Sequence, residues 1–376
     1  MAKGSAIVVG SGIVGLATAR ALALRGFSVK VFERSGQAVG ASIRNFGMVW
    51  PVGQPAGKLY ERAIRSRDIW KAAAAAAGIW YDPVGSLHLA YHADEWQVLQ
   101  ELDAEYRREG RPVRLLDKAA TLAISPAAVP QHLLGSLYSQ DEVIVDPREA
   151  IAGLPAYFAA SLDIAFFWNK CVTYISEQTV YVGNDEAHQA DLVFICSGAD
   201  FETLYPEQFT RFALTKCKLQ MMRLVAQPDG WRIGPALCGG LSLIHYAGFK
   251  AAPSLQDLQK RYAAQMAEYL HWGIHVMVSQ NGRGELTVGD SHEYGLTHDP
   301  FDREIINRLI LHYLEQIAQF RDWTVAETWN GVYAKRTDGE TDLFFSPEPG
   351  VYVLNGVGGA GMTLSFGLAE EIVGTL

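Results

Sequence analysis

A short apolar run, Ala6 to Val9, leads into Gly10-Ser11-Gly12-Ile13-Val14-Gly15, and a helical stretch follows from Ile13 to Leu24. Nothing else in the chain constrains its fold as tightly. In a G-x-G-x-x-G turn between strand and helix, Gly10 permits the tight turn and Gly12 lets the backbone approach a pyrophosphate. Gly15 lets helix and strand pack closely. The helix N-terminus then directs its N–H groups at phosphate charge. Ser28 to Phe32 reads as the next strand, and Glu33 follows it, placed to accept hydrogen bonds from ribose hydroxyls. The expected unit is a βαβ dinucleotide-binding fold with parallel strands. Glu33 would repel a 2′-phosphate and so speaks against NADP, while the turn itself does not separate FAD from NAD.

At 376 residues the chain is long enough for two domains, and a 49% hydrophobic, 19% charged composition supports a large core. A formal net charge of −9 lacks the basic footprint of a nucleic-acid binder. Cys171, Cys196, Cys217 and Cys238 form no CxxC pair, so neither a metal site nor a disulfide framework is expected, and reduced thiols point to the cytoplasm. No uninterrupted apolar run reaches the length of a membrane span. Helices are expected over 56–77, which ends in six consecutive alanines, and over 95–108. Leu87 to Tyr91 reads as a strand, and Leu192 to Cys196 as a buried parallel strand before Ser197-Gly198. Between 219 and 292 the pattern changes: Leu219–Val225, Leu243–Phe249, His275–Ser279 and Glu285–Gly289 resemble strands of an antiparallel sheet. Helical patterns interleave at 255–271 and 303–320. The chain closes on a strand at Val351–Leu354, a turn with glycines at 356, 358, 359 and 361, and a helix over 362–373.

Four segments carry a resemblance. Gly40-Ala41-Ser42-Ile43-Arg44-Asn45-Phe46-Gly47 follows the second strand, and Ser197-Gly198-Ala199 ends the later parallel strand. Trp329-Asn330-Gly331 precedes Asp338-Gly339, and Gly356-Val357-Gly358-Gly359-Ala360-Gly361-Met362-Thr363 opens the last helix. With the N-terminal turn, these resemble the D-amino-acid oxidase, glycine oxidase and sarcosine oxidase family of flavoenzymes over nearly the full length. The resemblance implies an α/β fold: a Rossmann-type FAD-binding domain with a second, substrate domain built on a mainly antiparallel sheet. The expected division is 1–82, 143–215 and 326–376 for FAD, and 83–142 and 216–325 for substrate. Expected FAD contacts are Gly10, Gly12, Ile13, Val14, Gly15, Glu33, Arg34, Ala41, Ser42, Asn45, Gly47, Met48, Ser197, Gly198, Gly356, Gly358, Gly359, Ala360, Gly361, Met362 and Thr363. The closing turn would set a helix N-terminus beside the negative charge of reduced flavin. The family's covalent attachment residues, a late cysteine or an early histidine, are absent from 329–339 and 40–51, so FAD is expected to bind non-covalently.

The chain also departs from the family. Glycine oxidase-like enzymes read Trp-x-Gly-x-Arg-Pro, with the arginine clamping a substrate carboxylate, and here Tyr333 stands at that arginine. The segment Arg44-Asn45-Phe46-Gly47-Met48-Val49-Trp50-Pro51 resembles a subfamily associated with phosphonate breakdown. This implies oxidation of 2-aminoethylphosphonate or an N-methyl or related aminophosphonate by hydride transfer to flavin N5. The products would be phosphonoacetaldehyde and ammonia or an amine. No catalytic side chain and no metal is required. A phosphonate offers three acceptor oxygens and suits dispersed donors, for which Arg44, His245, Tyr246, Tyr333, Lys335 and Arg336 are the candidates. Arg44 has a competing role against the pyrophosphate, and His245 and Tyr246 have competing roles in packing. Trp50 and Trp329 are candidates for the cavity wall or for the core. Lys335 and Arg336 are adjacent, so in a strand only one faces the site, and the reading prefers Arg336. Lys216 and Lys218 are either surface residues or neighbours of the flavin. The expected partners are a small amine with an anionic group and dioxygen or another electron acceptor, with an oxidase preferred to a dehydrogenase. Two alternatives stay open: a glycine-, sarcosine- or D-amino-acid-type amine oxidase with an unusual carboxylate site, and a non-catalytic flavin- or NAD-binding protein.

Overall fold

The structure, a computed structural model, describes residues 3–183 and 185–376; residues 1, 2 and 184, which the expected FAD-binding segments include, lie outside the described residues. The N-terminal unit forms as its sequence requires: strand Gly4–Val9, helix Ile13–Leu24, strand Phe27–Phe32. The two strands pair in parallel, Ala6 with Val29 and Val8 with Val31. They sit inside a six-stranded sheet ordered Leu343–Glu348, Val351–Asn355, Leu192–Ile195, Gly4–Val9, Phe27–Phe32, Ala165–Phe167. Every pairing is parallel except the first. Both faces are covered, so its strands are apolar on both sides. Ala6 and Val8 face helices, packing with Leu16, Trp70, Phe158 and Phe366. Ile7, Val193 and Ile195 face a small antiparallel sheet carrying Val172, Ile175 and Val180.

The second sheet has nine strands, ordered Glu293–Gly295, Leu214–Leu224, Leu286–Gly289, Met277–Gln280, Ala236–Cys238, Ser86–Ala90, Gly135–Ser139, Val113–Asp117, with Val325–Arg336 paired to Leu214–Leu224. It is antiparallel apart from the pairing of Ala236–Cys238 with Ser86–Ala90. Helices Ala93–Arg108 and Glu304–Ile317 cover it, burying Leu99, Leu102, Ile310 and Leu314 in one core with Leu87, Val278 and Val288. Val325–Arg336 pairs with Leu214–Leu224 along its whole length, so residues 326–336 hydrogen-bond into the larger sheet.

One expected strand does not form. Residues 243–249 end a short helix, Gly240–Leu243, and begin a single-turn helix, Ala247–Ala251. The sheet strand lies just before, at Ala236–Cys238. Past that strand the chain packs so closely on the helices that a Cβ on Gly240 would stand 2.0 Å from Tyr262 Oη. The chain turns there against the helices instead of continuing along the sheet. His245 and Tyr246 are thereby placed on a loop that faces inward. No helix among the described residues is long and apolar enough to cross a membrane, and the four cysteines are free thiols.

His88, in strand Ser86–Ala90, is fully buried with no hydrogen-bond partner at either ring nitrogen. It packs edge-on to Phe249 at 4.9 Å and beside Trp50 at 5.6 Å between centroids. Burial pushes its pKa down to about 3 from the ordinary 6.5. The unfolded chain therefore binds a proton that the folded chain refuses, and stability falls as pH drops below 6.5, down to about 3. The term is on the order of 2 kcal/mol between pH 7 and pH 5. His88→Leu, of similar volume, is expected to lose less thermal stability than the parent between those two pH values. Equal losses in Tm would show that His88 does not set the acid response.

Candidate active site

One cavity of about 950 Å³ runs from the N-terminal glycine turn, along 40–50, to the large sheet. At its nucleotide end the chain is drawn in to backbone contact. A Cβ on Gly10, whose φ is +102°, would meet Cys196 O at 2.5 Å, and one on Gly15 would meet Gly10 O at 1.9 Å. Only glycine fits either place. Ile13 N donates to Ser42 Oγ at 2.9 Å, which fixes the 40–47 segment over the start of the first helix. No acidic side chain occupies the first turn of that helix, so its positive end is left for a bound anion.

Glu33 is held before any ligand arrives. Its Oε2 accepts from Ser11 N at 3.0 Å and Ser11 Oγ at 3.1 Å, and its Oε1 accepts from Ser35 N at 3.1 Å. Oε1, which accepts one hydrogen bond, keeps acceptor capacity for a ribose hydroxyl. Arg34 is tied to Asp200 at 2.8 Å. The closing turn is built the same way: Asn355 Oδ1 accepts from Gly356 N at 2.7 Å, and Asn355 Nδ2 donates to Ser197 Oγ at 3.3 Å. The terminal helix Gly361–Gly374 starts at the cavity, also without an acid in its first turn. Trp70 Nε1 and Trp50 N anchor that start, donating to Met362 O at 2.8 Å and to Thr363 Oγ1 at 2.9 Å. A glycine-lined cradle, a fixed carboxylate and two open helix N-termini fit a flavin dinucleotide. Of the expected FAD contacts all border the cavity except Gly15 and Gly47, which serve backbone packing; a Cβ on Gly47 would meet Val145 O at 1.9 Å.

The six substrate candidates also border this cavity. Arg44 Nη1 donates to Asn330 O at 3.0 Å, tying it to the long strand. Alternation along that strand separates its last residues. Tyr333 packs in the core of the large sheet and Ala334 in that of the small one. Lys335 shares the face of Tyr333 and donates to Tyr294 Oη at 2.9 Å. Arg336 lies on the other face, with its Nε 3.0 Å from Asp338 Oδ1. The guanidinium is thus already neutralised, whereas Lys335 has no carboxylate partner. Lys216 pairs with Glu202, and Lys218 is enclosed by Asp299 O, Phe301 O and Asp302, so neither borders the cavity. Trp50 borders it, but Trp329 does not, lying under Arg148 and Arg223.

Three wall residues went unnoticed in the sequence: His275, Asp290 and His292. His275 and Asp290 exchange backbone hydrogen bonds across the hairpin, His275 N to Asp290 O at 3.2 Å and Asp290 N to His275 O at 2.9 Å. Their ring and carboxylate approach to 3.0 Å. The contact, from His275 Nε2 to Asp290 Oδ1, is not directed as a hydrogen bond, and His275 Nδ1 on the far side of the ring also has no partner among the described residues. His292 Nδ1 lies 2.9 Å from Gly273 O and must donate to it, leaving Nε2 as a lone pair. His245, open to the cavity, stacks on His275 at 3.8 Å and on His292 at 4.7 Å. Desolvation by the cavity walls, then His275, His292 and Lys335, hold the open His245 ring well below the ordinary histidine pKa, and burial lowers His292 also. Burial alone would raise the Asp290 pKa, but His275 and His292 lower it further. Burial lifts Tyr246 and Tyr333 well above the ordinary phenol, so both hydroxyls stay protonated donors. The signal for the missed group was the tight turn joining 275–280 and 285–290, which sets both hairpin ends side by side.

Gly12→Leu is expected to fold but to purify colourless, because a Cβ there already reaches 3.0 Å from Ser42 Oγ and the rest of the side chain must enter the cradle. The absorbance ratio at 450 and 280 nm measures this, and parental flavin content in the variant would misplace the pyrophosphate. Acid precipitation of the parent is expected to leave the yellow colour in the supernatant; a yellow pellet would indicate a covalent link.

The chain is similar to proteins of known structure. Glycine oxidase of Geobacillus kaustophilus (strain HTA426) is 29% identical over 203 residues, which is 51% of this chain and 54% of that protein. The match thus spans about half the length of the curated relative. The crystal structure of glycine oxidase from Geobacillus kaustophilus superposes with a TM-score of 0.76 at 21% identity, covering 99% of this chain and 94% of that one. L-Proline dehydrogenase from P. horikoshii gives 0.76 at 19% identity over 99% and 92%. Iminodiacetate oxidase from Chelativorans sp. BNC1 gives 0.68 at 17% over 98% and 94%. These likenesses establish the fold, a glycine oxidase-like α/β architecture. The family description "FAD dependent oxidoreductase" matches residues 5–374, and the chain belongs to that family of FAD-dependent enzymes.

Proposed function

We propose that the chain oxidises the C–N bond of a small amine that carries an anionic group, and that its substrates are 2-aminoethylphosphonate, the N-methyl derivative or a related aminophosphonate. The observation that carries this reading is the end of the long strand. Tyr333 stands where glycine oxidase-like sequences place a carboxylate-clamping arginine, and Lys335 beside it holds an ammonium whose hydrogen-bond partner is a neutral phenol. Around it are the hydroxyls of Tyr333 and Tyr246; the latter's protein partner is only the Met277 thioether, at 3.5 Å. A planar carboxylate is best met by a planar fork. A tetrahedral oxyanion is met by separate donors on several elements, which is what this wall provides.

FAD, when bound, supplies the acceptor for the hydride leaving the carbon next to nitrogen. The chain has three tasks. Lys335, Tyr333 and Tyr246 would hold the anionic end and so fix where the C–H bond points. His292 Nε2, a lone pair by its hydrogen bond to Gly273 O, can take a proton from the ammonium, since only a neutral amine is oxidised. The buried walls, including Trp50, keep bulk water from the reacting carbon. Hydrolysis of the imine would then give phosphonoacetaldehyde and ammonia, or methylamine from the N-methyl substrate.

Anaerobic titration of the holoenzyme tests this. 2-Aminoethylphosphonate or its N-methyl derivative is expected to bleach the 450 nm band, and glycine and sarcosine are not; the reverse pattern would replace the aminophosphonate reading with a glycine- or sarcosine-type oxidase. Lys335→Ala is expected to raise KM about 10- to 100-fold with unchanged flavin content, the usual size of a lost charge-assisted contact. An unchanged KM would move the clamp to Arg44 or Arg336.

A further inference from the structure

The three stacked imidazoles are more than the clamp above requires. We infer that His245, His275 and His292, with Lys335, form a subsite for a doubly charged tetrahedral oxyanion, and that the stack takes up one proton as the oxyanion binds. The inference rests on the proposed anionic amine substrate and adds to it the charge state of the group and the source of its counter-charge.

Charge separates this from a metal site. One ligand atom from each histidine lies within 4.8 Å of the others. That spacing alone suits either a cation or an anion. The rings are stacked, tilted by only 20° between His275 and His292 and by 36° and 37° from His245 to each. Three imidazoles with ring centroids 3.8 to 5.2 Å apart offer separate donors to several oxygens of one anion. Lys335 argues the same way, since its ammonium would repel a dication.

Charge balance gives the proton coupling. The groups facing the stack are Asp290 from the hairpin, Lys335 and Tyr333 from the long strand, Tyr294 and Cys217 from its neighbours, and Tyr246 from the loop. Burial raises Cys217 to about 12 and lifts Tyr246, Tyr333 and Tyr294, so these four stay neutral. Asp290 and Lys335 offset each other. The free site thus holds three imidazoles, of which His245 and His292 are held neutral by desolvation. A dianion entering it makes an imidazolium favourable, raising the pKa of the stack in the complex. Asp290 Oδ1, buried and without a hydrogen-bond partner, is placed to receive the new N–H. With an amine substrate the ammonium supplies that proton, and none is drawn from solvent.

Methylphosphonate isolates this subsite, because it has the oxyanion and no amine. Calorimetry of the FAD-loaded enzyme above about pH 8, in two buffers of unlike protonation enthalpy, is expected to show uptake of about one proton and a Kd that rises about tenfold per pH unit. Acetate is expected to bind at least tenfold more weakly. His245→Gln, altered where the ring faces the cavity, is expected to lose about tenfold in methylphosphonate affinity together with the proton uptake, at unchanged flavin content. Binding of methylphosphonate without proton uptake and unaffected by His245→Gln would overturn the inference. One equivalent of Zn²⁺ retained by the parent through dialysis and absent from His245→Gln would overturn it in favour of a metal site. The two readings fail separately: proton-coupled methylphosphonate binding without bleaching by any aminophosphonate removes the amine chemistry alone, and bleaching without proton coupling removes this subsite alone.

Discussion

The ribbon formed by Leu214–Leu224 and Val325–Arg336 is the constraint on which the rest depends. Its backbone ladder belongs to the large sheet, yet its end reaches the nucleotide side, where Lys335 bridges to Val357 in the closing glycine turn. Tyr333 and Ala334, one residue apart, pack into different cores. One strand thus ties substrate wall to cofactor cradle with no flexible connection. The spacing between Tyr333, Lys335 and the closing turn is set by strand geometry, about 3.4 Å per residue, and not by a loop.

Polarity along the cavity follows from the same arrangement. At one end stand two helix N-termini and a fixed carboxylate, and at the other the Lys335 ammonium and the histidine stack around buried Asp290. Each charge is placed by regular structure or by short hydrogen-bonded turns. That is the condition for fixed dipoles to act without reorganising when a ligand arrives.

Much of this was legible from local chemistry. The first helix runs over Ile13–Leu24 as its pattern demanded, because glycine spacing and apolar periodicity agree there. The closing strand and turn fall where glycines 356 to 361 put them. Segment 243–249 misled because an apolar, aromatic run fits a strand equally well, and the close packing of Gly240 on Tyr262 is tertiary. Strand alternation puts Lys335 and Arg336 on opposite faces, yet both border the cavity, because the strand ends at its rim and alternation no longer divides inside from outside there. His275 and His292 were invisible for a related reason. They are far apart in periodic pattern, and neighbours only once the hairpin is paired and the 245 loop is folded onto it.

The cofactor cradle joins the first turn, near residue 10, to the last, near residue 360. During synthesis the N-terminal βαβ unit can form early, but strand Gly4–Val9 waits for Leu192–Ile195, and that strand waits for Val351–Asn355. Contacts of such sequence separation close late and slowly. A nascent or truncated chain therefore exposes half a dinucleotide cleft with no flavin to cover it, and flavin colour becomes a report on whether the whole chain has closed, not merely on whether its fingerprint is intact.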